Sequence, residues 1–467
     1  MKEVDLNNLF EKQKRDFKDE EIFDVAVIGA GVVGCAIFKE FCQNGAKTVL
    51  IEKENDILEG ASKGNSAILH TGFDAPPESL ELECVKKGYE EYLKIHKSLN
   101  LPLNNTKALV IAWSDEQLEK LDAILKKGLG NGIKELELID HKRTADLEPN
   151  LSKKAKGAII VHGESLIDPW SAPLAYVKLG VAHGGKLAFS SKAESGEFNG
   201  EFWEIKTPRG PVRAKTVINA AGLYGDLVEK IKGESKFKII PRKGQFLIYD
   251  ETSYNLINSI ILPVPTKRTK GVVITKTAFG NILVGPTAED QESRDDSSNQ
   301  KEMLKELQNK AYDMLPALKE HKVVATFAGL RPASDESFYR VYKDEEKNWI
   351  TVGGIRSTGL TSSLGLAKYV YELYGKEHKK PKQTKIKVQN ISEFAKRDYL
   401  DKDYGKIVCH CECVTQREIE NALKDEVGAG TLGGLKRRTR VTMGRCQGFN
   451  CMAAITQMCE ENKKWKK

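Results

Sequence analysis

The stretch that decides the fold class is Val-Ala-Val-Ile-Gly-Ala-Gly-Val-Val-Gly, residues 25–34. Apolar residues precede its glycines, and a run with helical periodicity follows them. In chain order, the pattern predicts a buried strand over residues 23–28, a tight turn over 29–34, a helix over 32–44 and a second strand over 47–51 that ends in Glu52. A strand, a glycine turn, a helix and a strand closed by an acid form a dinucleotide-binding α/β unit.

The glycines and the acid have separate tasks in such a unit. Gly29 permits the tight turn, Gly31 lets the backbone approach a pyrophosphate, and Gly34 lets helix and strand pack closely. Glu52 stands 18 residues beyond Gly34 and can accept hydrogen bonds from ribose hydroxyls. The other predicted cofactor contacts of this unit are Ala30, Val32, Val33 and Lys53. The competing interpretation is a glycine-rich turn that binds nothing.

Length and composition predict a protein of more than one domain. The 467 residues exceed the size at which a single core keeps growing, and the net charge of +7 does not by itself indicate nucleic acid. No run approaches the roughly 18 apolar residues of a transmembrane helix. Residues 1–20 resemble neither a secretory signal nor a transit peptide. We predict a cytoplasmic protein without nucleic-acid partners or a transmembrane segment, and peripheral membrane contact stays open.

Three later segments indicate which dinucleotide is bound. Residues 60–66 can turn backbone amides toward flavin phosphates, residues 216–222 predict a strand and turn, and residues 351–365 predict a turn that opens a helix. The predicted contacts in them are Ser62, Asn65, Ser66, Ala221, Gly222, Gly354, Ile355, Gly359, Leu360 and Thr361. In this order the segments resemble the D-amino-acid-oxidase-like family of FAD oxidoreductases over residues 22–375. The resemblance implies that the cofactor is FAD.

A closer resemblance is to FAD-dependent glycerol-3-phosphate dehydrogenases and the related L-2-hydroxyglutarate oxidases. Residues 64–72 resemble the flavin-facing segment of both groups, while residues 269–275, 280–287 and 329–332 are more similar to the glycerol-3-phosphate group. The resemblance implies oxidation of a secondary alcohol to a ketone, with hydride passing to flavin N5. The expected reaction converts sn-glycerol 3-phosphate to dihydroxyacetone phosphate, with L-2-hydroxyglutarate as the alternative substrate.

His70 is the candidate for the base that this oxidation needs. Imidazole has an unperturbed pKa of about 6.5, which is close to the working pH of such an enzyme. His70 also lies in the segment that resembles the flavin-facing one, between apolar Leu69 and Gly72. The competing interpretation is a packed histidine that is bonded to the backbone.

An anionic substrate requires fixed cations. Arg331 is the first candidate, for catalysis as well as substrate binding, because guanidinium binds phosphate or carboxylate through two parallel hydrogen bonds. Arg356 is the second candidate, and Lys243, Lys267 and Arg268 are weaker ones that also suit a solvated surface. A carboxylate would be bound by the same residue types, so these charges do not separate the two substrates.

Six of the nine cysteines fall between Cys409 and Cys459, which favours a metal site over disulfides in a chain without a secretion signal. The module over residues 405–467 resembles the bacterioferritin-associated-ferredoxin-like [2Fe–2S] domain. The resemblance implies that the cluster ligands are Cys409, Cys411, Cys446 and Cys451. Cys413 is an alternative ligand, and a tetrahedral zinc site is the alternative metal centre.

Two other features of the module depend on context. A second Gly-x-Gly-x-x-Gly pattern, residues 428–433, has no strand before it, and we interpret it as a loop. The basic run at residues 436–440 predicts a solvated helix face, although it can also offset cluster charge or bind an acidic partner.

The predicted fold class is α/β. It has a Rossmann-like FAD-binding domain, an interleaved substrate domain built on an antiparallel sheet, and a small α-rich iron–sulfur domain. The expected division is an extension over 1–21, FAD-binding segments at about 22–80, 150–225 and 325–375, substrate segments at about 81–149 and 226–324, a linker over 376–404 that is solvated or wraps the body, and the cluster domain over 405–467. Electrons are expected to leave through the cluster to an external acceptor or partner redox subunit. The alternative is a flavoprotein oxidase with a structural zinc module.

Overall fold

A computed structural model describes residues 9–265 and 271–465. The strands are β1 (Ile22–Ile28), β2 (Thr48–Ile51), β3 (Ile68–Leu69), β4 (Leu103–Asn104), β5 (Ala108–Ala112), β6 (Leu136–Asp140), β7 (Gly157–Val161), β8 (Ser165–Ile167), β9 (Lys186–Ala188), β10 (Ser195–Phe198), β11 (Trp203–Lys206), β12 (Val212–Asn219), β13 (Ile239–Tyr249), β14 (Ile260–Pro263), β15 (Val273–Lys276), β16 (Ile282–Gly285), β17 (Glu289–Asp290), β18 (Val323–Ser334), β19 (Arg340–Asp344), β20 (Trp349–Gly353), β21 (Ile407–Cys409) and β22 (Val414–Thr415). The helices are α1 (Val32–Gln43), α2 (Leu80–Leu99), α3 (Asp115–Gly130), α4 (His141–Leu147), α5 (Ser171–Ala182), α6 (Gly225–Glu229), α7 (Lys301–Met314), α8 (Gly359–Tyr374), α9 (Gln416–Lys424), α10 (Leu432–Thr439) and α11 (Met452–Trp465).

The first sheet is the dinucleotide-binding one, and it confirms the predicted strand, helix and strand at the N-terminus. Its order is β10-β11-β12-β1-β2-β9, with β20 beside β12 and β19 beside β20. β1, β12 and β20 run parallel, and α1, α5 and α8 share one apolar core with them. The carboxyl ends of these three strands therefore meet at one edge, where a ligand crevice is expected.

The second sheet has nine strands and confirms the predicted antiparallel sheet, with one exception. Its order is β17-β13-β16-β15-β14-β5-β7-β6, with β18 beside β13, and only β14 and β5 pair in parallel within this order. β7 and β18 belong here, although residues 157–161 and 323–334 fall mostly in ranges predicted to bind FAD. A strand's own pattern shows that one face is buried, but its sheet is decided by which neighbour it pairs with.

A third, three-stranded sheet joins β3, β8 and β4. In its register, Ile68 lies opposite Leu166 and Leu69 lies opposite Ser165. The residue after β3 and the residue before β8 are thereby brought side by side.

The C-terminal module is small and mostly helical, as predicted. β21 and β22 form a hairpin, and α9, α10 and α11 close a separate apolar cluster over it. Thr415 begins α9 with a capping box to Glu418. The segment 376–404 lies along the body, where Val388 is buried. Its N–H donates to Leu99 O, and its carbonyl accepts from Asn100 Nδ2. Of the helices in the described ranges, none is long and apolar enough to cross a membrane.

Candidate active site

The glycine turn after β1 is built so closely that side chains do not fit. Gly29 has a φ of +107°, and its N–H donates to Ile51 O at 2.8 Å. A Cβ on Gly34 would stand 1.8 Å from Gly29 O, so any larger residue would push the helix off the strand. Gly31 is the N-cap of α1, and the positive end of the helix dipole there favours a phosphate.

Glu52 is tied to this turn from the end of β2. Its Oε2 accepts from the N–H of Ala30 at 2.7 Å, and its Oε1 accepts from the N–H of Glu54 at 3.0 Å. Burial raises the pKa of Glu52 to about 7. Lys53 pairs with Glu54 at 2.9 Å and lies over the ring of Tyr224 at 4.6 Å. Glu52 thus holds the phosphate turn in place, and its contact with a ribose stays a prediction.

One cavity of about 470 Å³ joins most of the predicted site residues. Its wall includes Gly31, Val32, Val33, Ser62, Asn65, Ser66, His70, Gly222, Arg331, Gly354, Ile355, Arg356, Gly359 and Leu360. The remaining members of the predicted cofactor set lie outside this wall: Gly29, Ala30, Gly34, Glu52, Lys53, Ala221 and Thr361. A more open cavity of about 540 Å³, lined by Asn104, His162 and Tyr254 among others, contains no predicted site residue.

The loop over residues 60–66 closes onto the phosphate turn. Ser62 Oγ accepts from the N–H of Val32 at 3.0 Å, and its carbonyl accepts from Asn65 Nδ2 at 3.0 Å. Asn65 Oδ1 accepts in turn from the N–H of Ala67 at 2.7 Å. These bonds fix the small side chains at the mouth of the turn, as a backbone cradle for phosphates or a ring edge requires.

His70 forms a pair with Glu164, because the register of β3 and β8 places the two residues side by side. His70 Nδ1 lies 2.8 Å from Glu164 Oε2, and Glu164 Oε1 accepts from the N–H and hydroxyl of Thr71 at 2.7 and 2.9 Å. The N–H of His70 donates to Thr361 Oγ1 at 3.0 Å. The His70 side chain is 19% exposed and Glu164 is fully buried. A buried carboxylate at Nδ1 fixes the ring orientation and stabilises its protonated form.

Arg331 is held by carbonyl oxygens on the other side of the cavity. Its Nη2 donates to Thr287 O at 2.7 Å and to Lys243 O at 3.3 Å. Burial, and then the charge of Arg242, lower the pKa of Arg331 to about 10. A buried cation with uncharged partners binds an anion strongly, because the anion recovers the charge pairing that burial removed.

The four predicted ligand cysteines approach one another in two pairs. The thiol of Cys411 lies beside that of Cys446, and the thiol of Cys409 lies beside that of Cys451. Backbone N–H groups of the 448–450 turn lower the pKa of Cys446, whereas burial and Cys409 raise that of Cys451 to about 12. Cys413 Sγ instead contacts the carbonyl of His410 at 3.8 Å.

The two thiol pairs fit the proposed cluster. Four thiolates close a [2Fe–2S] cluster, and N–H groups directed at sulfur stabilise it. In residues 9–265 and 271–465, no group of three or more His, Cys, Asp or Glu side chains has the arrangement needed to hold one metal ion.

Residues 24–373 match the family described as FAD dependent oxidoreductase, and residues 407–461 match the BFD-like [2Fe-2S] binding domain. The chain belongs to the FAD dependent oxidoreductase family. This oxidoreductase is 34% identical over 449 residues to a glycerol 3-phosphate dehydrogenase of Caloramator mitchellensis. The match covers 94% of each of the two chains. It is 29% identical over 292 residues to a mitochondrial L-2-hydroxyglutarate dehydrogenase of Caenorhabditis briggsae, covering 57% of this chain and 63% of that one.

A solved structure of L-alpha-glycerophosphate oxidase from Mycoplasma pneumoniae, reduced with dithionite and with FAD bound, has the same fold as this oxidoreductase. The TM-score is 0.75 and the identity is 25%, over 79% of this chain and 99% of that one. The cofactors of the present oxidoreductase are FAD and a [2Fe–2S] cluster. Its glycine turn fits FAD because Gly31, at the start of α1, lines the cavity without a side chain of its own.

The other four predicted cations of the oxidoreductase differ in where they lie. Lys243 was predicted to bind substrate, but the structure places it away from the cavity, where its buried Nζ donates to Asp296 Oδ2 at 2.8 Å and Ser298 O at 3.2 Å. The reason is the alternation of β13, which directs residues 242, 244 and 246 to the cavity and residue 243 to the other face. Lys267 and Arg268 lie outside the described residues. Arg356 lines the cavity, as expected.

Three charged residues at or beside the cavity were not predicted: Glu81 and Arg242 line it, and Glu164 lies beside His70. Glu81 stands between two leucines and Glu164 between Gly163 and Ser165, and neither context gave a recognisable signal. Arg242 had a signal, because it stands two residues before Gly244 on the same face of β13. Arg242 is paired with Asp290, with 3.0 Å between Nη2 and Oδ2.

The basic run at residues 436–440 is not a solvated helix face. Arg438 is buried and binds both oxygens of Asp56 at 2.8 and 2.9 Å, and Arg437 pairs with Glu59. Asp56 Oδ2 also accepts from the N–H of Gly430. A side chain at position 430 would not fit, because its Cβ would stand 1.9 Å from Asn55 O. The second glycine pattern is thus a loop, as predicted. Together with Arg437 and Arg438, it binds the cluster module to residues 55–59, the segment that follows β2.

Proposed function

We propose that this oxidoreductase converts sn-glycerol 3-phosphate to dihydroxyacetone phosphate and passes the electrons through its cluster to an external acceptor. The observation that carries the proposal is that His70 and Arg331 line the same cavity as the phosphate turn of the FAD site. The relative that matches nearly the whole chain, module included, is named a glycerol 3-phosphate dehydrogenase. That coverage favours the phosphate substrate over L-2-hydroxyglutarate.

In this proposal each residue acts from the position described above. Arg331 and Arg356 bind the substrate phosphate, to which Arg331 donates from Nη1 while its Nη2 stays bonded to Thr287 O and Lys243 O. The proton on His70 Nδ1 is held by Glu164, so Nε2 is the atom that accepts the proton of the substrate hydroxyl. FAD, when bound, accepts the hydride at flavin N5. The apolar side chains of Phe246 and Leu330 also line the cavity, and they give the substrate a less hydrated surrounding.

The cysteine module supplies the exit for electrons. Cys409, Cys411, Cys446 and Cys451 hold the [2Fe–2S] cluster, which is a one-electron carrier when bound. The rest of the chain divides by sheet, with FAD bound at the first sheet and the substrate covered by the second.

The test is an anaerobic titration of the purified protein with glycerol 3-phosphate, followed by its flavin and cluster absorbance. Bleaching of both bands, with about two irons per chain, is expected. Bleaching with L-2-hydroxyglutarate but not with glycerol 3-phosphate would contradict the substrate. Stoichiometric zinc without iron, together with rapid peroxide formation, would contradict the electron route.

A further inference from the structure

A stacked aromatic pair lies between the FAD cavity and the cysteine module. The rings of Trp170, at the start of α5, and Phe279, in the turn between β15 and β16, have centroids 5.1 Å apart and an interplanar angle of 10°. Phe279 is buried, and the pair packs with Ile391 of the linker and Met443 of the cysteine module. Helix α5, the turn between β15 and β16, the linker and the cysteine module therefore all meet at this stack.

Trp170 connects the stack to the FAD cavity. Its indole Nε1 donates to the carbonyl of Lys63 at 3.1 Å. Lys63 stands between Ser62 and Gly64, both of which line the cavity. Ser62 in turn accepts from the N–H of Val32 on the phosphate turn. Trp170 is thus hydrogen-bonded to a residue whose two chain neighbours line the FAD cavity.

Phe279 connects the stack to the cysteines. Its carbonyl accepts from Arg440 Nη2 at 3.2 Å, and the guanidinium carbon lies 5.5 Å from its ring centroid. Arg440 is 2% exposed, and its Nε donates to Glu412 at 2.7 Å. Glu412 directly follows Cys411. A continuous set of contacts therefore runs from the FAD wall to a predicted cluster ligand.

We propose that the Trp170–Phe279 stack positions the cluster module against the FAD site and carries electrons between the two cofactors. The inference rests on the proposed function in that it requires both cofactors. Reduced flavin gives up one electron, and the oxidised cluster gains it. The second electron follows once an external one-electron acceptor has oxidised the cluster. Packed aromatic rings favour this transfer, since a gap in the packing removes contacts along the route.

The test measures transfer from flavin to cluster without using any substrate. The flavin of the complete protein is photoreduced anaerobically with a sacrificial donor, and the growth of the reduced-cluster signal is followed by absorbance and freeze-quench paramagnetic resonance. The variants are Trp170→Leu, Phe279→Leu and the conservative Trp170→Phe. Phe198→Leu is the matched control, because Phe198 stacks on Trp203 at 5.4 Å on β10 and β11 at the end of the first sheet.

Trp170→Leu and Phe279→Leu are expected to slow cluster reduction by about tenfold, because each leaves a gap in the stack. Trp170→Phe keeps a ring there and is expected to stay within about threefold of the unmodified protein. Iron content and the resonance spectrum of the cluster reduced directly by dithionite should be unchanged in all variants. Unchanged transfer in Trp170→Leu and Phe279→Leu, or equal slowing in Phe198→Leu, would overturn the inference.

The two proposals fail in distinguishable ways. If the unmodified protein holds both cofactors but photoreduced flavin leaves the cluster oxidised, the electron route and the stack's role both fall. If the cluster is reduced by flavin while glycerol 3-phosphate reduces neither cofactor, only the substrate is wrong. If either Trp170→Leu or Phe279→Leu loses FAD or iron, the rate of cluster reduction in the other variant still tests the role of the stack.

Discussion

Glu164 Oε2 lies 2.8 Å from Nδ1 of His70, and the rest of the carboxylate is fully engaged with Thr71. Three hydrogen bonds in a buried site leave Glu164 one orientation. The ring of His70 is thereby fixed between this carboxylate and the cavity. The pair gives the proposed reaction a base whose position does not depend on the substrate.

The first prediction concerns this pair. His70→Asn removes the base and should lower the rate constant of flavin reduction by about 10²- to 10⁴-fold, which is the usual contribution of general base catalysis. Glu164→Gln keeps the shape but removes the charge that stabilises protonated His70, so we expect a smaller loss, about tenfold or more. Stopped-flow reduction at saturating substrate measures both. Equal rates in Glu164→Gln and the unmodified protein would show that the carboxylate has no part in proton transfer.

The second prediction separates two neighbouring cations. Arg331→Met should raise the KM for substrate by about tenfold to hundredfold, because charge-assisted hydrogen bonds contribute roughly 1.5–3 kcal/mol. Lys243→Met is the matched control. Lys243 lies next to Arg242, which stands opposite Arg331 in the sheet, but its side chain faces Asp296 instead of the cavity. Its KM should change by less than about twofold, because its side chain lies on the other face of the strand. Steady-state kinetics with a dye acceptor give both values, and a large KM effect in Lys243→Met would contradict the alternation of β13.

The third prediction follows from the raised pKa of Glu52. The folded pKa of about 7 lies above the reference value of 4.5, so folding favours the protonated form. Its stabilising contribution is fully present below pH 4.5 and is lost as the pH rises through about 7. Glu52→Gln does not lose a proton, so its apoprotein should gain stability relative to the unmodified one over this range. Because the side chain is partly exposed, we expect a gain of about 2 kcal/mol.

Chemical unfolding of both FAD-free proteins at several pH values checks the Glu52 prediction. Glu54→Gln is the comparison, because it keeps the backbone N–H that donates to Glu52 and removes only the smaller effect of the Glu54 charge on the pKa of Glu52. A stability difference between Glu52→Gln and the unmodified protein that stays constant with pH would contradict the assigned cause. FAD affinity should also fall in Glu52→Gln, because the bond from Ala30 to the carboxylate weakens.

The fourth prediction concerns the docking of the cluster module. Asp56→Ala leaves the buried Arg438 without its partner, which should destabilise the docked state by about 3–5 kcal/mol. The double variant Asp56→Ala with Arg438→Met removes the unpaired charge and should recover part of that loss. Hydrogen exchange in residues 428–440 reports the docking directly. Unchanged protection in Asp56→Ala would show that the module is held by its apolar contacts alone.

The fifth prediction distinguishes the cluster ligands from Cys413. Cys411→Ser should lose the cluster or change its resonance spectrum, because Cys411 belongs to one of the two thiol pairs. Cys413→Ser should retain about two irons per chain and an unaltered spectrum, since Cys413 contacts a carbonyl instead of a thiol. Iron analysis of both purified proteins is the measurement. Loss of iron in Cys413→Ser with retention in Cys411→Ser would reverse the assignment.

Local features were predicted well where one segment contains the whole signal. The glycine turn, α1 and β2 follow from residues 23–52 because their strand, turn and helix patterns are consecutive. The amphipathic pattern of α2 gives a less exact result: Leu93 fits the apolar spacing but is 39% exposed, whereas Cys84 and Gly88 are buried. Helical spacing shows that a face exists, but the packing partner decides its edges.

Features that join distant segments were predicted poorly. The burial of Arg437, Arg438 and Arg440 was missed, because their acidic partners lie up to 382 residues away in the chain. The pairing of β7 and β18 with the second sheet, although they fall mostly in predicted FAD-binding segments, was not foreseen, since period-two alternation gives the same pattern in either sheet.

The sequence by itself determined the FAD-binding unit, the cysteine module and the identity of His70 and Arg331 as candidates. Each of these depends on residue type and local spacing, which a single segment contains. Only the tertiary structure decided that Glu164 orients His70, that Arg242 replaces Lys243 at the cavity, and that Trp170 and Phe279 lie between the two cofactor sites. These relationships arise from strand register and domain packing, which bring together residues that no local pattern connects.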